Sequence, residues 1–278
     1  MADWIQYCEQ YIPRLKERYF KKCGKQLDID NPKSFTEKVQ WLKIYDSAFL
    51  KSYCADKINL HHYSLKTLGY DYCIPITSTF NSIDDIDFNR LPARFVLKCN
   101  HGSGYNIICK DKTKLNQSRT ISLLRQWLNE DYSEKQGYEL HYKLIQPKCF
   151  SEQYMNDGHS DLTDYKIYCF NGRDIFTQVI QDRNTNELMS HFLPGWVYTD
   201  KYDQVGYNSS PSIEPPRCYD KMIHMARTLS KPFKMVRVDF YVIHDTLYLG
   251  ELTFTPYSGY HRFKSSTADN ELGELLSI

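Results

Sequence analysis

The sequence contains no run of the ~18 apolar residues that a membrane-crossing helix needs, and no excess of either charge, with 35 basic residues against 34 acidic and a formal net charge of +1. The first absence argues against membrane insertion. The second leaves no global field to draw the chain to nucleic acid or an anionic membrane, so any bound anion must be met by local groups. The nine cysteines, at 8, 23, 54, 73, 99, 109, 149, 169 and 218, never stand as Cys-x-x-Cys. Their odd number and spacing argue against a disulfide framework and a zinc site, and for a reducing compartment where thiols act as small hydrophobes. No basic segment followed by an apolar core opens the chain, so the expected location is the cytoplasm. The nine histidines are scattered, and no Ser-His-Asp or Cys-His nucleophile arrangement stands out.

What is abundant is aromatic: 23 tyrosines and 14 phenylalanines, which suit strands without naming a ligand. The length of 278 residues allows one large domain or two to three lobes. Residues 4 to 22 show helical spacing interrupted by Pro13, and Ser34-Phe-Thr-Glu37 reads as a capping box before a second helix. A third helix is expected from Ala48 to Lys66, ending near Gly69. Ile74–Phe80 reads as a strand, and 82 to 90 as a loop with a brief helical turn.

The character then changes. Phe95–Asn100 is a strand that runs into His101-Gly102-Ser103-Gly104, and Ile107–Lys110 returns. A strand, a tight Gly-x-Gly turn and a second strand make a flap rather than the strand-to-helix loop of mononucleotide-binding folds. Such glycines let backbone N–H groups approach a phosphate, with Lys98 as a fixed positive charge, although a plain glycine hairpin fits as well. A helix over 117–131, a strand over Cys149–Met155 and a polar loop over 156–163 follow.

Two hairpins carry the remaining charge pattern. Asn171-Gly172 predicts a type I′ turn whose direct pairing puts Asp164, Lys166 and Tyr168 on one face with Ile175, Thr177 and Val179, extended by Gln181 and Arg183. A strand or turn at 191–196, a proline-rich loop at 199–216 that could cover a site, and a helix over 219–229 lead to the second hairpin, Lys234–Thr255. There Val236, Val238, Phe240 and Val242 share one face, leaving Arg237 and Asp239 on the other. A three-residue loop, 244–246, sets Asp239 opposite Glu251 and Arg237 opposite Thr253, whereas a two-residue loop turns Glu251 to the other face. We expect the three-residue loop. Facing carboxylates repel, and a shared divalent cation is the usual remedy; Mg²⁺ takes one or two carboxylates and completes its octahedron with phosphates and water. An exposed strand face with solvated charges fits the same pattern.

The order of these motifs resembles the ATP-grasp superfamily. Phe-Val-Leu-Lys-x-Asn-His-Gly-Ser-Gly, Asp-Tyr-Lys-x-Tyr-x-Phe-Asn-Gly, Arg-Val-Asp-Phe-Tyr and Gly-Glu-Leu-Thr-Phe are similar to its TupA-like, teichuronopeptide-synthesis branch, over roughly residues 30 to 265. The resemblance implies an α+β fold in which two lobes clamp ATP after a short, mostly helical N-terminal segment. The expected division is 1–90 helical, 91–156 the small lobe with its glycine flap, and 157–278 the large lobe with the metal site.

It also implies roles. Lys98 and the flap His101, Gly102, Ser103 and Gly104 would meet the phosphates, and Glu152, Gln153 and Tyr154 the adenine and ribose. Lys166, Arg183 and Arg237 would act on phosphate and acyl oxygens, with Lys166 counted also among the nucleotide contacts. Asp239, Glu251 and Thr253 would hold Mg²⁺; the family at large usually has Asn where Thr253 stands.

The activity implied is an ATP-dependent carboxylate–amine ligase working through an acylphosphate, with ATP and Mg²⁺ as cofactors. Its partners would be a small-molecule or polysaccharide-precursor carboxylate, such as a uronic acid of a surface polysaccharide, and an amine from an amino acid or amino alcohol. The alternatives are an ATP-grasp kinase for a sugar or lipid hydroxyl, a glycosyltransferase suggested by Asp28-Ile-Asp30 and Asp85-Ile-Asp87, and a non-catalytic ATP-binding module, against which the retention of both carboxylates argues.

Overall fold

The computed structural model describes residues 2–47, 49–158 and 161–278. Five helices open the chain: α1 (Ala2–Glu9), α2 (Ile12–Cys23), α3 (Phe35–Tyr45), α4 (Phe49–Ala55) and α5 (Asn59–Leu68). Pro13 falls in the first turn of α2, where its missing N–H is no loss, so the helix restarts there. The Ser34–Glu37 capping box forms, with Ser34 N donating to the Glu37 carboxylate at 3.0 Å. The single helix expected from Ala48 to Lys66 is two. Asp56 divides it by accepting from the backbone N–H groups of Ile58 and Asn59 at 2.8 and 3.3 Å, which starts α5 afresh. Ala48 itself lies outside the described residues, as do His159 and Ser160 of the expected 156–163 loop.

Strands β1 (Ile76–Phe80), β2 (Phe95–Cys99), β3 (Asn106–Cys109) and β4 (Cys149–Gln153) form an antiparallel sheet in the order β1-β4-β2-β3. Helix α6 (Gln117–Asn129) covers one face, packing Leu124, Ile121 and Trp127 with Phe95, Leu97 and Cys99. A short helix, α7 (Tyr132–Lys135), then leads to β4.

The second sheet has six antiparallel strands: β5 (Asp164–Phe170), β6 (Arg173–Gln181), β7 (Leu188–Leu193), β8 (Val197–Thr199), β9 (Met235–Ile243) and β10 (Thr246–Thr253), in the order β10-β9-β5-β6-β7-β8. Helix α8 (Tyr219–Ser230) lays Met222, Met225, Ala226 and Leu229 on Ile167, Val179, Val236 and Val238. Another cluster joins Phe35, Val39 and Leu42 of α3 and Leu272 of α9 (Ala268–Leu275) to Tyr168, Phe170 and Met235. Among the described residues no helix is long and apolar enough to cross a membrane.

Both hairpins differ from expectation by one bulge each. Asn171 and Gly172 have φ of 50° and 78°, the type I′ signature. The register slips between Tyr168 and Cys169, however, so Lys166 pairs with Gln178 and Asp164 with Ile180. Thr177 and Val179 are therefore not on the Lys166 face; Val179 packs in the cluster beneath α8. Asp182, with φ 51°, ends the strand run and brings Arg183 back to Asp164.

In the β9–β10 hairpin the turn is not the expected three residues. His244 and Asp245, with φ of 49° and 60°, make a two-residue turn that pairs Ile243 with Thr246. A bulge at Gly250 adds the missing residue and restores the expected partners, Asp239 opposite Glu251 and Arg237 opposite Thr253. A Cβ on Gly250 would lie 2.8 Å from the Tyr241 ring and 3.3 Å from the Asp239 carbonyl, which is why the bulge falls on a glycine. The 199–216 loop, read as a possible cover, is strapped to the sheet edge. Met189 N donates to Asn208 O at 2.8 Å, Ser210 N to Ser190 Oγ at 2.9 Å, and Asp203 accepts from Ser209 Oγ at 2.7 Å.

Candidate active site

Strands β2 and β3 and the end of β4 face β5 and β9 across a cleft of about 260 Å³. Lys98, Glu152, Gln153 and Tyr154 line it from the small sheet, and Asp164, Arg183 and Tyr241 from the large one. Ile74, Val96 and Ile108 supply apolar wall. Lys98 forms an ion pair with Glu152, a residue on the neighbouring strand whose partner in register is Val96. The result is a slot with apolar walls and a few fixed charges, the usual composition of a small-ligand site.

From this cleft a chain of alternating charges runs through the sheet. Arg183 Nη2 donates to Asp164 Oδ2 at 2.7 Å, and Asp164 Oδ1 lies 3.2 Å from Lys166 Nζ. Lys166 donates to Asp239 Oδ2 at 2.6 Å. Arg237 clamps the same carboxylate with two bonds of 2.7 Å from Nε and Nη2. Its Nη2 also lies 3.3 Å from Glu251 Oε1 and 3.1 Å from Thr253 Oγ1, and Thr253 donates to Glu251 at 3.0 Å. The alternation follows from the pleat: Asp239 is the cross-strand partner of both Lys166 and Glu251.

Arg237, Glu251 and Thr253 open onto a second cavity of about 730 Å³, shared with Ser103 and Gly104 of the flap and with Glu139 and Tyr142. Lys21, Lys22 and Arg262 bring further positive charge to its wall. Asp239 and Lys166 line neither cavity. They are 2% and 6% exposed and join the two sites from within.

The flap is positioned by contacts that sequence reasoning missed. Lys57, between α4 and α5, donates to the Gly102 carbonyl, and Asp56 accepts from Asn100 Nδ2 at 2.8 Å, so the N-terminal helices hold the root of the flap. Gly102 is glycine because a Cβ would lie 2.7 Å from the Tyr132 ring; Gly104 is glycine because its φ is 78°. His101 turns inward, 3% exposed, with Nε2 3.0 Å from the Trp127 carbonyl, so at the flap it presents backbone rather than imidazole. Asn100 stood in the quoted motif, but no signal in the sequence marked Lys57.

Electrostatics follow the geometry. Burial alone would raise the Glu251 carboxyl, but Lys57, Arg237 and Lys166 and the bond from Thr253 outweigh it and bring the pKa down to about 2. Burial lowers the Lys57 ammonium against the pull of Glu251, and burial likewise lowers His101. Asp239 Oδ2, Glu251 Oε1 and Thr253 Oγ1 all surround one atom, Arg237 Nη2. Hard oxygens, two of them carboxylate, are the donor type Mg²⁺ prefers, and the point these three share is held by the Arg237 guanidinium.

A six-stranded sheet with a helix on its back, a small sheet with a glycine flap, and an aromatic and charged slot between them define the ATP-grasp fold. Within that class the chain belongs to the family described as TupA-like ATPgrasp, which matches residues 37–277.

Similar solved structures are distant. D-alanine–D-alanine ligase from Bacillus anthracis complexed with ATP aligns with TM-score 0.42 and 15% identity, over 73% of this chain and 55% of its own. The ATP-grasp ligase PsnB complexed with its minimal precursor gives 0.41 and 14%, over 82% and 62%. N5-carboxyaminoimidazole synthase from Aspergillus clavatus, in complex with ADP and 5-aminoimidazole ribonucleotide, gives 0.43 and 9%, over 73% and 44%. The chain thus spans less than two thirds of each of these relatives. No curated protein matches it.

Proposed function

We propose that the protein is an ATP-dependent carboxylate–amine ligase that activates its acid as an acylphosphate. The observation that carries this reading is the unbroken charge chain from Arg183 in the smaller cleft to Glu251 and Thr253 in the larger cavity. Phosphoryl transfer demands fixed cations on both sides of the moving group and little covalent help from the protein.

ATP enters the smaller cleft, with adenine and ribose against Glu152, Gln153 and Tyr154 and its phosphates toward Lys98 and Arg183. The backbone of Gly102, Ser103 and Gly104 closes over the terminal phosphates. Arg237 steadies the γ-phosphoryl group and then the acylphosphate, while Lys166 braces Asp239 from the opposite side. Mg²⁺, where bound, would be held by Asp239, Glu251 and Thr253 and would supply charge neutralisation on the phosphate oxygens. In the larger cavity Lys21, Lys22 and Arg262 favour an acidic donor, for which we propose a uronic acid of a surface polysaccharide or its precursor. The amine is then an amino acid or amino alcohol. ATP consumption and nine unpaired cysteines suit the cytoplasm.

The test is incubation with ATP, Mg²⁺, hydroxylamine and a panel of uronates. Hydroxamate and ADP should form together, dependent on the uronate. AMP as the sole nucleotide product, or a stable phosphorylated sugar with no need of amine, overturns the ligase.

A further inference from the structure

One buried acid in the larger cavity has no part in phosphate chemistry. Glu139 sits in the turn after α7, its N–H donating to Ser133 O at 2.7 Å, and its side chain is 6% exposed while lining the cavity beside Arg237, Glu251 and Thr253. An anion here repels both an acidic donor and the phosphate it carries. The same charge attracts a ligand that brings positive charge or a proton.

Glu139 is also built in. The Thr255 and Ser258 hydroxyls and the Lys43 ammonium favour its charged form against burial. Ser258 is held in turn by Lys43 of α3, whose Nζ donates to Ser258 O at 2.8 Å, Ser258 Oγ at 3.0 Å, Gly137 O at 2.6 Å and Gln40 Oε1 at 2.8 Å. Gly137 approaches so closely that a Cβ would lie 2.3 Å from Ser258 Oγ. Tyr257 and Ser258 take left-handed φ values of 49° and 51°, which turn the chain after β10 toward Glu139. The ionisable groups around it include Lys43, Glu251, Tyr132, Tyr142 and Tyr260. Burial raises the Glu139 carboxyl and, despite the pull of Glu139, lowers Lys43 to about 7, so neither group is a fixed surface charge.

We propose that Glu139 receives the acceptor amine and serves as its general base, an inference that rests on the ligase reading above. The amine arrives as ammonium and gives one proton to the Glu139 carboxylate. The freed lone pair forms the C–N bond to the acyl carbon. The C–O bond to phosphate then breaks with its electron pair leaving on phosphate, which takes the second nitrogen proton. Glu139 passes its proton to water.

The experiment compares wild type with Glu139→Gln, using glucuronate as probe donor and two acceptors. Ethanolamine is an ammonium at neutral pH and needs the base; hydroxylamine is already uncharged and does not. Glu139→Gln should lower ethanolamine-dependent amide formation by about 100-fold or more, while hydroxamate formation stays within about 3-fold and the acid limb of the ethanolamine pH profile disappears. Glu139→Asp, which keeps the carboxylate one methylene back, should recover part of the ethanolamine rate, and it carries the same comparison if the Gln variant does not fold. Equal losses with both acceptors mark a structural role and overturn the proposal, as does an unchanged ethanolamine rate. A wild type that forms no hydroxamate overturns the ligase reading, and this inference with it.

Discussion

Asp239 and Glu251 face each other across β9 and β10, and the guanidinium of Arg237 stands between them, 2.7 Å from Asp239 Oδ2 and 3.3 Å from Glu251 Oε1. From sequence, the repulsion of two opposed carboxylates asked for a divalent cation. In the fold, Arg237 already meets that demand and Lys166 adds a second charge from β5. Any metal here joins an existing balance of two acids and two bases.

Arg237 therefore carries a structural load, whatever its part in turnover. Arg237→Ala leaves a buried acid half-paired and should cost about 3–5 kcal/mol of stability, the usual penalty for removing one partner of a buried pair. Urea unfolding measures the loss, and ATP-dependent turnover should vanish with it. Arg237→Lys keeps the charge without the two-pronged clamp and should fall between the two.

The bulge at Gly250 decides which way Glu251 points. Gly250→Val drives a Cβ to within 2.8 Å of the Tyr241 ring, a ring that also lines the smaller cleft. We expect a destabilisation of about 1–3 kcal/mol from overpacking and a fall in turnover larger than the fall in melting temperature explains. Turnover equal to wild type in a folded Gly250→Val protein means that the bulge does not set the site.

Lys98 lines the smaller cleft and not the larger cavity. Lys98→Ala should raise the Kd for ATP by about 10- to 100-fold, the worth of one charge-assisted contact, and should abolish most of the thermal stabilisation that ATP gives. Calorimetry with ATP in the presence and absence of Mg²⁺ reads the change directly. Equal affinity in the variant removes Lys98 from the site.

Acid should unfold the protein in two stages. His261 is buried against Phe35, Tyr257 and Phe263, and burial lowers its imidazole from 6.5 to about 3. Because the unfolded chain binds this proton first, the contribution is full above pH 6.5 and is lost as pH falls toward 3, by up to about 1.4 kcal/mol per unit. Glu251, lowered from 4.5 to about 2, contributes stability that is full above 4.5, falls between those values and is gone below 2. Denaturant melts at stepped pH should show the upper stage flattened in His261→Gln and the lower one in Glu251→Gln.

Much of this was legible along the chain, because local geometry depends on neighbours in sequence. Ser34 and Glu37 cap a helix with their own side chains, Asn171-Gly172 forms its turn through backbone preference alone, and the alternation of Val236, Arg237, Val238 and Asp239 assigns two faces whatever packs on them. The Gly102–Gly104 turn was visible in the same way, whereas the expected Asp239–Glu251 pairing rested on a three-residue turn and holds only because the Gly250 bulge makes up for a two-residue one. Two bulges were not, since a strand absorbs an extra residue only where its partner and the packing beneath require it, and Tyr241 against Gly250 is a tertiary contact. Nor did spacing disclose that His101 turns inward, that Lys57 holds the flap, or that Lys43 supports the wall around Glu139; each joins segments dozens of residues apart. The sequence alone determined which charges could share a face, because side-chain direction alternates along a strand. The tertiary structure decided which of those charges meet, because burial makes an unpaired charge too costly and forces each to find its partner across the fold.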